Sequence, residues 1–357
     1  MKYIRDYGNG LKVPEDELTP FERNRLISEG KSVDRIQCCL DTGETMAPLI
    51  GCGIKEYYHS AEKMCELEEY IYNTFKSDGV GLSTTLRGMA EAMGSEIKYT
   101  DTNVAQLKTP ALTLKTIDNA KIVDVEKDGR LPIILKGLRM VKDRLGDKVP
   151  VSGTVTGPFT VAAMVLGTEW LLMGMLKCPD KIKQLMDVIV ENNNKYIEKL
   201  IDMEVGIGFA DPVSSTTLIS PEQYHEFSYP YFKKNVDFIK AHGRGCGLHI
   251  CGTSRGLWED LKTTGIGLFG LDNVESIKEA KEVLGPVMAI QGNVPPVDIV
   301  KDGTPMEVLE SAKKCIEDGH DCKCGYVLTT GCQMPIGTPE ANMHAMMDAA
   351  RLFGRNM

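Results

Sequence analysis

The chain has 357 residues, 42% apolar and 25% charged, ordinary globular values that exclude collagen, coiled coil and disorder and leave room for one large barrel or two smaller domains. Lys and Arg number 41 against 50 Asp and Glu, a net charge of −9, which argues against a general nucleic-acid binder because phosphate affinity needs clustered cations. The 11 cysteines follow an N-terminus with no apolar leader, so reduced thiols in a cytoplasmic protein are expected rather than a disulfide framework.

Residues 1–30 read as an N-terminal helical arm. Within it Thr19-Pro20-Phe21-Glu22 places a hydroxyl at the N-cap, proline at N1 and glutamate at N3, which is a capping box. Eight short β-branched, apolar or glycine-rich runs follow, at 35–40, 79–83, 149–156, 205–210, 245–251, 267–271, 286–291 and 325–330. An irregular insertion, 95–135, precedes the third. No stretch reads as a membrane span: the nearest, 159–176, is interrupted by Thr160, Gly167, Thr168, Glu169 and Gly174 and reads as one buried core helix. Between the later runs lie amphipathic segments, such as 181–201, where Ile182, Leu185, Met186, Ile189, Tyr196, Ile197 and Leu200 fall on one stripe. Ser220-Pro221-Glu222-Gln223 and Thr304-Pro305-Met306-Glu307 repeat the capping box, and Thr338-Pro339-Glu340 gives the same start without it. The alternation predicts an α/β fold, a single (β/α)8 TIM barrel over residues 31–357 with its site on the loops after the strands' C-terminal ends. A doubly wound open sheet is the runner-up, but no G-x-G-x-x-G follows an early strand.

His249-Ile250-Cys251 and Cys332 form the strongest constellation. Residues i and i+2 of a strand project from one face, so His249 and Cys251 would point together, and Cys332 follows the last strand onto the same mouth. One imidazole and two thiolates prefer zinc and leave a fourth position open, as catalytic sites do. On spacing alone the pattern equally fits buried small residues that meet by chance. A rival set, His320, Cys322 and Cys324, precedes the last strand and so belongs at the opposite end of the barrel, where a solvated loop is the better reading. Polar residues at other strand ends are candidates to bind substrate or complete a metal shell: Asp41 and Glu44 after the first run, Asp211 at the fourth, Asp272 at the sixth, and Gln291 and Asn293 at the seventh. Capping the next helix is the competing role for any one of the carboxylates.

These residues bring a family into view. Phe209-Ala210-Asp211, the run from Leu218 to Tyr224, His249-Ile250-Cys251-Gly252, Gly270-Leu271-Asp272, Ala289-Ile290-Gln291-Gly292-Asn293 and Gly331-Cys332 resemble, in order, the uroporphyrinogen decarboxylase superfamily. Gly157-Pro158-Phe159-Thr160 and Thr338-Pro339-Glu340-Ala341-Asn342 match as well. The decarboxylases carry an arginine-rich signature after the first strand, where this chain has Asp41-Thr42-Gly43-Glu44-Thr45-Met46; acidic groups there would repel a polycarboxylate. The chain is more similar to the methylcobamide:coenzyme M methyltransferase branch, which has a zinc motif of the H-x-C…C type. That resemblance implies zinc held by His249, Cys251 and Cys332. It also implies a methylcobamide on a separate corrinoid protein and a small thiol, or a methyl ether or methylamine donor in the reverse sense. Glu44 and Asp211 are candidates for the fourth zinc ligand. Residues 41–55 and 84–135 show no pattern that identifies the acceptor.

Overall fold

The computed structural model describes residues 2–8 and 10–355. Its centre is a ring of eight parallel strands: β1 (Gln37–Cys38), β2 (Val80–Ser83), β3 (Val151–Thr156), β4 (Gly206–Ala210), β5 (Gly247–His249), β6 (Leu268–Gly270), β7 (Ala289–Val294) and β8 (Tyr326–Thr330). Each strand from β2 to β8 pairs with the next, and β8 returns to β1 with Val327 opposite Gln37. The expected barrel is present, and each of the eight runs yields one strand.

Alternation decides what fills the ring. In β4, Phe209 is buried outward with its ring edge-on to Phe232 at 5.1 Å, which turns Gly208 and Ala210 inward. In β5, Leu248 is buried outward, so Gly247 and His249 face the interior. The helices cover the outer face. The stripe predicted at 181–201 belongs to the helix Pro179–Asp202, and its seven apolar members are all buried. The three capping boxes at Thr19, Ser220 and Thr304 form with both reciprocal hydrogen bonds.

Three local expectations change. The arm is helical only over Pro20–Ser28; before it, Tyr3–Asp6 and Lys12–Pro14 pair as an antiparallel ribbon. The segment 159–176 is not one helix but two, Pro158–Leu166 and Thr168–Lys177, bent by 102° at Gly167, whose φ of +85° a helix cannot contain. Thr338 does not cap: its hydroxyl donates to Pro335 O, and the last helix, Glu340–Phe353, begins one residue later than read. Among the described residues no single helix is long and apolar enough to cross a membrane.

No ladder joins β1 to β2; a carboxylate does. Asp78 N–H donates to Cys38 O at 3.0 Å, and Asp78 Oδ2 accepts the Cys38 N–H at 2.7 Å, taking the place of a carbonyl across the seam. Leu40 N–H adds a bond to Ser77 Oγ at 3.1 Å. The same carboxylate is buried against Arg23 of the arm helix and against Arg35 at 2.6 Å. Arg23 continues to Asp34 at 2.8 Å, Arg35 to Asp16 at 2.7 Å, and Asp16 to Arg351 of the last helix at 3.1 Å. All of this lies at the strands' N-terminal ends, so the arm closes the floor of the barrel and leaves its mouth free.

Breaking a buried pair strands its partner charge. Asp78→Asn is therefore expected to lower unfolding stability by about 3–5 kcal/mol in a denaturant titration, and a change within error would show that the seam closes without the charge. A second prediction comes from Glu68, which is buried behind β2. One of its oxygens accepts the Gly81 N–H at 3.1 Å and the other has no partner. Burial pushes its carboxyl up to about 8 against that hydrogen bond. A carboxyl raised above its unfolded value of about 4.3 contributes stability that is complete below that value and lost as pH climbs towards the folded one. Across pH 5 to 8 the melting temperature of Glu68→Gln should therefore gain steadily on that of wild type; parallel curves would contradict the assignment.

Candidate metal centre

His249 lies inside the ring, where its neighbours make room for it. Its partner in register on β4 is Ala210 and on β6 is Gly270. A Cβ on Gly270 would fall 3.2 Å from both Cβ and Nδ1 of His249, so glycine is what lets the imidazole lie flat along β6. There Nδ1 meets Gly270 O at 2.9 Å. A carbonyl only accepts, so Nδ1 carries the proton and Nε2 is turned to the sulfurs. Nε2 is 3.2 Å from Cys251 Sγ, which is 3.5 Å from Cys332 Sγ. Zinc at about 2.3 Å from sulfur and 2.0 Å from nitrogen in a tetrahedron sets these separations at roughly 3.5 and 3.8 Å, each about 0.3 Å wider than the pair found. The donor set and its span fit that ion.

Each cysteine is fixed by backbone geometry. After Cys251 the chain turns at Gly252, φ +77°, whose N–H donates to Asp272 Oδ2 at 2.7 Å. Cys332 sits where three loops cross. Gly331 approaches Asn273 so closely that a Cβ would lie 2.3 Å from its nitrogen, and Gly331 N–H donates to Val294 O at 2.9 Å. On the other side Met334 N–H donates to Asp41 O at 2.9 Å, and Gln333 Nε2 to Thr42 O and Glu44 Oε2, each at 3.3 Å.

Proximity redistributes the protons. The Cys332 thiol is drawn down to about 4 by its hydrogen bond from Cys251, against burial and with help from His249. Cys251, the donor in that contact, is pushed up by the bond and by burial. Burial pulls the imidazole of His249 down, but Cys332 and Asp41 outweigh it and carry it up to about 8. Burial also raises the Asp41 carboxyl to about 7, opposed by His249. Of the two sulfurs, Cys332 is thus the one drawn towards its thiolate, the form that binds a metal.

The other expected residues divide. Glu44 reaches the centre's edge through Gln333 and also accepts from Tyr58 OH at 3.1 Å. Asp211 is turned to the helix Pro158–Leu166: its Oδ1 accepts from Thr160 N–H at 2.8 Å and Thr160 Oγ1 at 2.6 Å, capping a helix whose own N-cap is Gly157. A Cβ on Gly157 would overlap that carboxylate at 2.2 Å. Burial raises Asp211 to about 6 despite those bonds. Asp272 holds the Cys251 loop, and Asn293 holds the Asp272 loop by donating to Asp272 O at 2.9 Å and Glu275 O at 2.8 Å. Gln291 is half-buried in β7, with no side-chain hydrogen bond among the described residues. His320, Cys322 and Cys324 do not assemble; among the described residues only His249, Cys251 and Cys332 bring three such ligand atoms within 4.8 Å. Gly270 entered the sequence reading only as part of the Gly270-Leu271-Asp272 run, because a glycine's value here lies in which strand it faces; Gln333 and Tyr58 went unremarked, since they act through contacts distant in the chain.

With this geometry in hand, four likenesses to known proteins bear on the chain. The family model described as uroporphyrinogen decarboxylase (URO-D) matches residues 19–353. The chain is 29% identical over 344 residues to the methylcobamide:CoM methyltransferase MtbA of Methanosarcina mazei, covering 94% of this chain and 99% of that one. It is 27% identical over 335 residues to the methylcobamide:CoM methyltransferase MtaA of Methanosarcina barkeri, covering 92% and 96%. A solved methyltransferase from Methanosarcina mazei superposes with a TM-score of 0.84 at 26% identity, over 94% of this chain and 98% of that one.

The glycine beside the imidazole offers a direct test. Gly270→Ala should displace His249 and weaken zinc binding by roughly 10–100-fold in competition with a chromophoric chelator. Unchanged affinity would mean that His249 does not bind through this arrangement.

Proposed function

This chain belongs to the uroporphyrinogen decarboxylase family, and from that premise we propose that it is a zinc-dependent corrinoid methyltransferase. In this reading residues 31–357 act as one catalytic barrel and 1–30 as its arm. It moves a methyl group between a methylcobamide carried by a separate corrinoid protein and a small thiol. The observation that carries the reading is the convergence of His249, Cys251 and Cys332 within 4.8 Å at the mouth. The names of the relatives, methylcobamide:CoM methyltransferases over nearly the whole chain, support the same chemistry.

Zinc bound by His249, Cys251 and Cys332 supplies a Lewis acid that brings a thiol, ordinarily with a pKa of about 8.5, to its thiolate at neutral pH. The chain's residues prepare that position. Gly270 O fixes the His249 tautomer so that Nε2 keeps its lone pair for the metal. Asp272 and the crossing at Gly331 hold the two sulfurs to within a hydrogen-bond length of each other before any ion arrives, which lowers the ordering entropy of binding. Asp41, half-buried beside His249 and Cys332, is a group able to take the proton a substrate thiol gives up. The thiolate then forms its S–C bond as the cobalt–carbon bond of the substrate breaks, the electron pair remaining on cobalt.

Metal analysis tests the centre and a cobalamin spectrum tests the reaction. Wild type should hold about one zinc per chain and Cys332→Ala far less. Wild type should also convert free methylcobalamin in the presence of a simple thiol, and the variant should be slower by orders of magnitude. A metal-free wild type with full activity would overturn the proposal, as would a decarboxylase activity that survives chelation.

A further inference from the structure

The loop after β6 lies between the two loops that carry the sulfurs. On one side its Asp272 takes the Gly252 N–H, next to Cys251; on the other, Asn273 is the residue against which Gly331, next to Cys332, is packed. The far end of that loop bears a carboxylate that none of the contacts above employ. Glu275 Oε1 accepts the N–H groups of Ser254 and Arg255 at 2.6 and 2.7 Å, and its Oε2 accepts Ser254 Oγ at 2.6 Å. All three donors belong to the stretch that follows Cys251. A hydrogen bond to a charged acceptor is roughly twice as strong as a neutral one, so this is the strongest grip on that stretch.

The grip is directed. Ser254 heads the turn Arg255–Leu257, yet its hydroxyl does not cap that turn; it donates to Glu275 while accepting from Trp258 Nε1 at 3.1 Å. The guanidinium of Arg255 goes elsewhere, to Glu279 at 2.7 Å, and among the described residues Glu275 makes no ion pair. Its carboxylate is therefore given wholly to the Cys251 loop. The backbone of Glu275 is anchored in turn, since its carbonyl accepts from Asn293 Nδ2 at 2.8 Å. The turn after Cys251 has little slack of its own. Gly252 sits at φ +77°, and a Cβ there would meet Thr217 Oγ1 at 2.9 Å and Ser215 Oγ at 3.0 Å. Thr253 O accepts from Thr216 N–H and from Ser215 Oγ, each at 2.9 Å. The loop after β4 thus holds one side of this stretch, and Glu275 holds the other.

We propose that Glu275 is a positioning residue for the metal centre: by clamping the chain just beyond Cys251 to the loop that also meets Gly331, it sets the separation of the two sulfurs and with it how long zinc is retained. The inference rests on the reading of His249, Cys251 and Cys332 as a zinc site. A sulfur whose loop is already fixed loses little further freedom when the metal binds, so release requires the loop itself to loosen. The competing role, a cap for the turn at Arg255, would add stability without bearing on the sulfurs.

Zinc release from the loaded protein to an excess of chromophoric chelator tests it, in wild type, Glu275→Gln, Glu275→Ala and Glu279→Gln, at a temperature where circular dichroism shows each to be folded. The cobalt(II)-loaded forms, whose thiolate-to-metal absorption reports the bound sulfurs, are measured beside them. Glu275→Ala should release zinc roughly 10–100-fold faster than wild type and lose thiolate-to-cobalt intensity. Glu275→Gln, which keeps one acceptor oxygen, should fall between the two, and it decides the matter if the alanine variant does not fold. Glu279→Gln, which breaks only the outer pair with Arg255, should match wild type. A lowered melting temperature with wild-type release and an unaltered cobalt spectrum would make Glu275 a cap alone and overturn the assignment, as would equal acceleration in Glu279→Gln. Failure of the underlying reading has a different signature: wild type itself would take up no zinc.

Discussion

The barrel depends on one buried carboxylate. A parallel ring closes only if its first and last seams both find hydrogen bonds, and between β1 and β2 the backbone supplies one of its own, from Asp78 to Cys38. Asp78 provides the second by placing a side-chain oxygen where a strand carbonyl would be. A carboxylate sealed from water needs compensating charge, which explains why Arg23 and Arg35 are buried with it and why Asp34 and Asp16 are recruited in turn. The arm is thus the source of the arginine that makes the seam affordable.

The mouth is organised by a different device. Where the floor is held by charge, the metal centre is held by the absence of side chains. Gly270 makes room for an imidazole, Gly331 lets two loops touch, and Gly252 turns the chain behind Cys251. Hydrogen bonds from Asp272 and Asn293 then fix those loops to each other. A centre built this way has its donor atoms brought within contact distance of one another by the backbone itself.

Much of this was legible in the chain because its signals are local. Strand runs, the stripe of the long helix and three capping boxes all depend on residues within a few positions of one another, and all formed. The H-x-C pair was legible for the same reason, and Cys332 joined it only because the barrel sends both strand ends to one mouth. The strand-end acids were ambiguous because a carboxylate at such a point meets free backbone N–H groups whether or not a substrate is near. Asp211 and Asp272 bond to those groups, and nothing within ten residues of either could have said so. Gly167 was visible as an interruption, but the 102° bend it permits is a matter of packing.

The floor network also sets the order in which the molecule can be assembled. β1 has its ladder partner in β8, and Asp16 in the arm meets Arg351 in the final helix, 335 residues away. A chain emerging from the ribosome carries its first strand without its ladder partner, and Asp16 without Arg351, until the last eighth of the sequence is made. Contacts of such long range are slow to form because loop closure precedes any gain from them. β2 to β7 can pair successively as they appear, so the native ring is expected to be completed at its beginning, last of all.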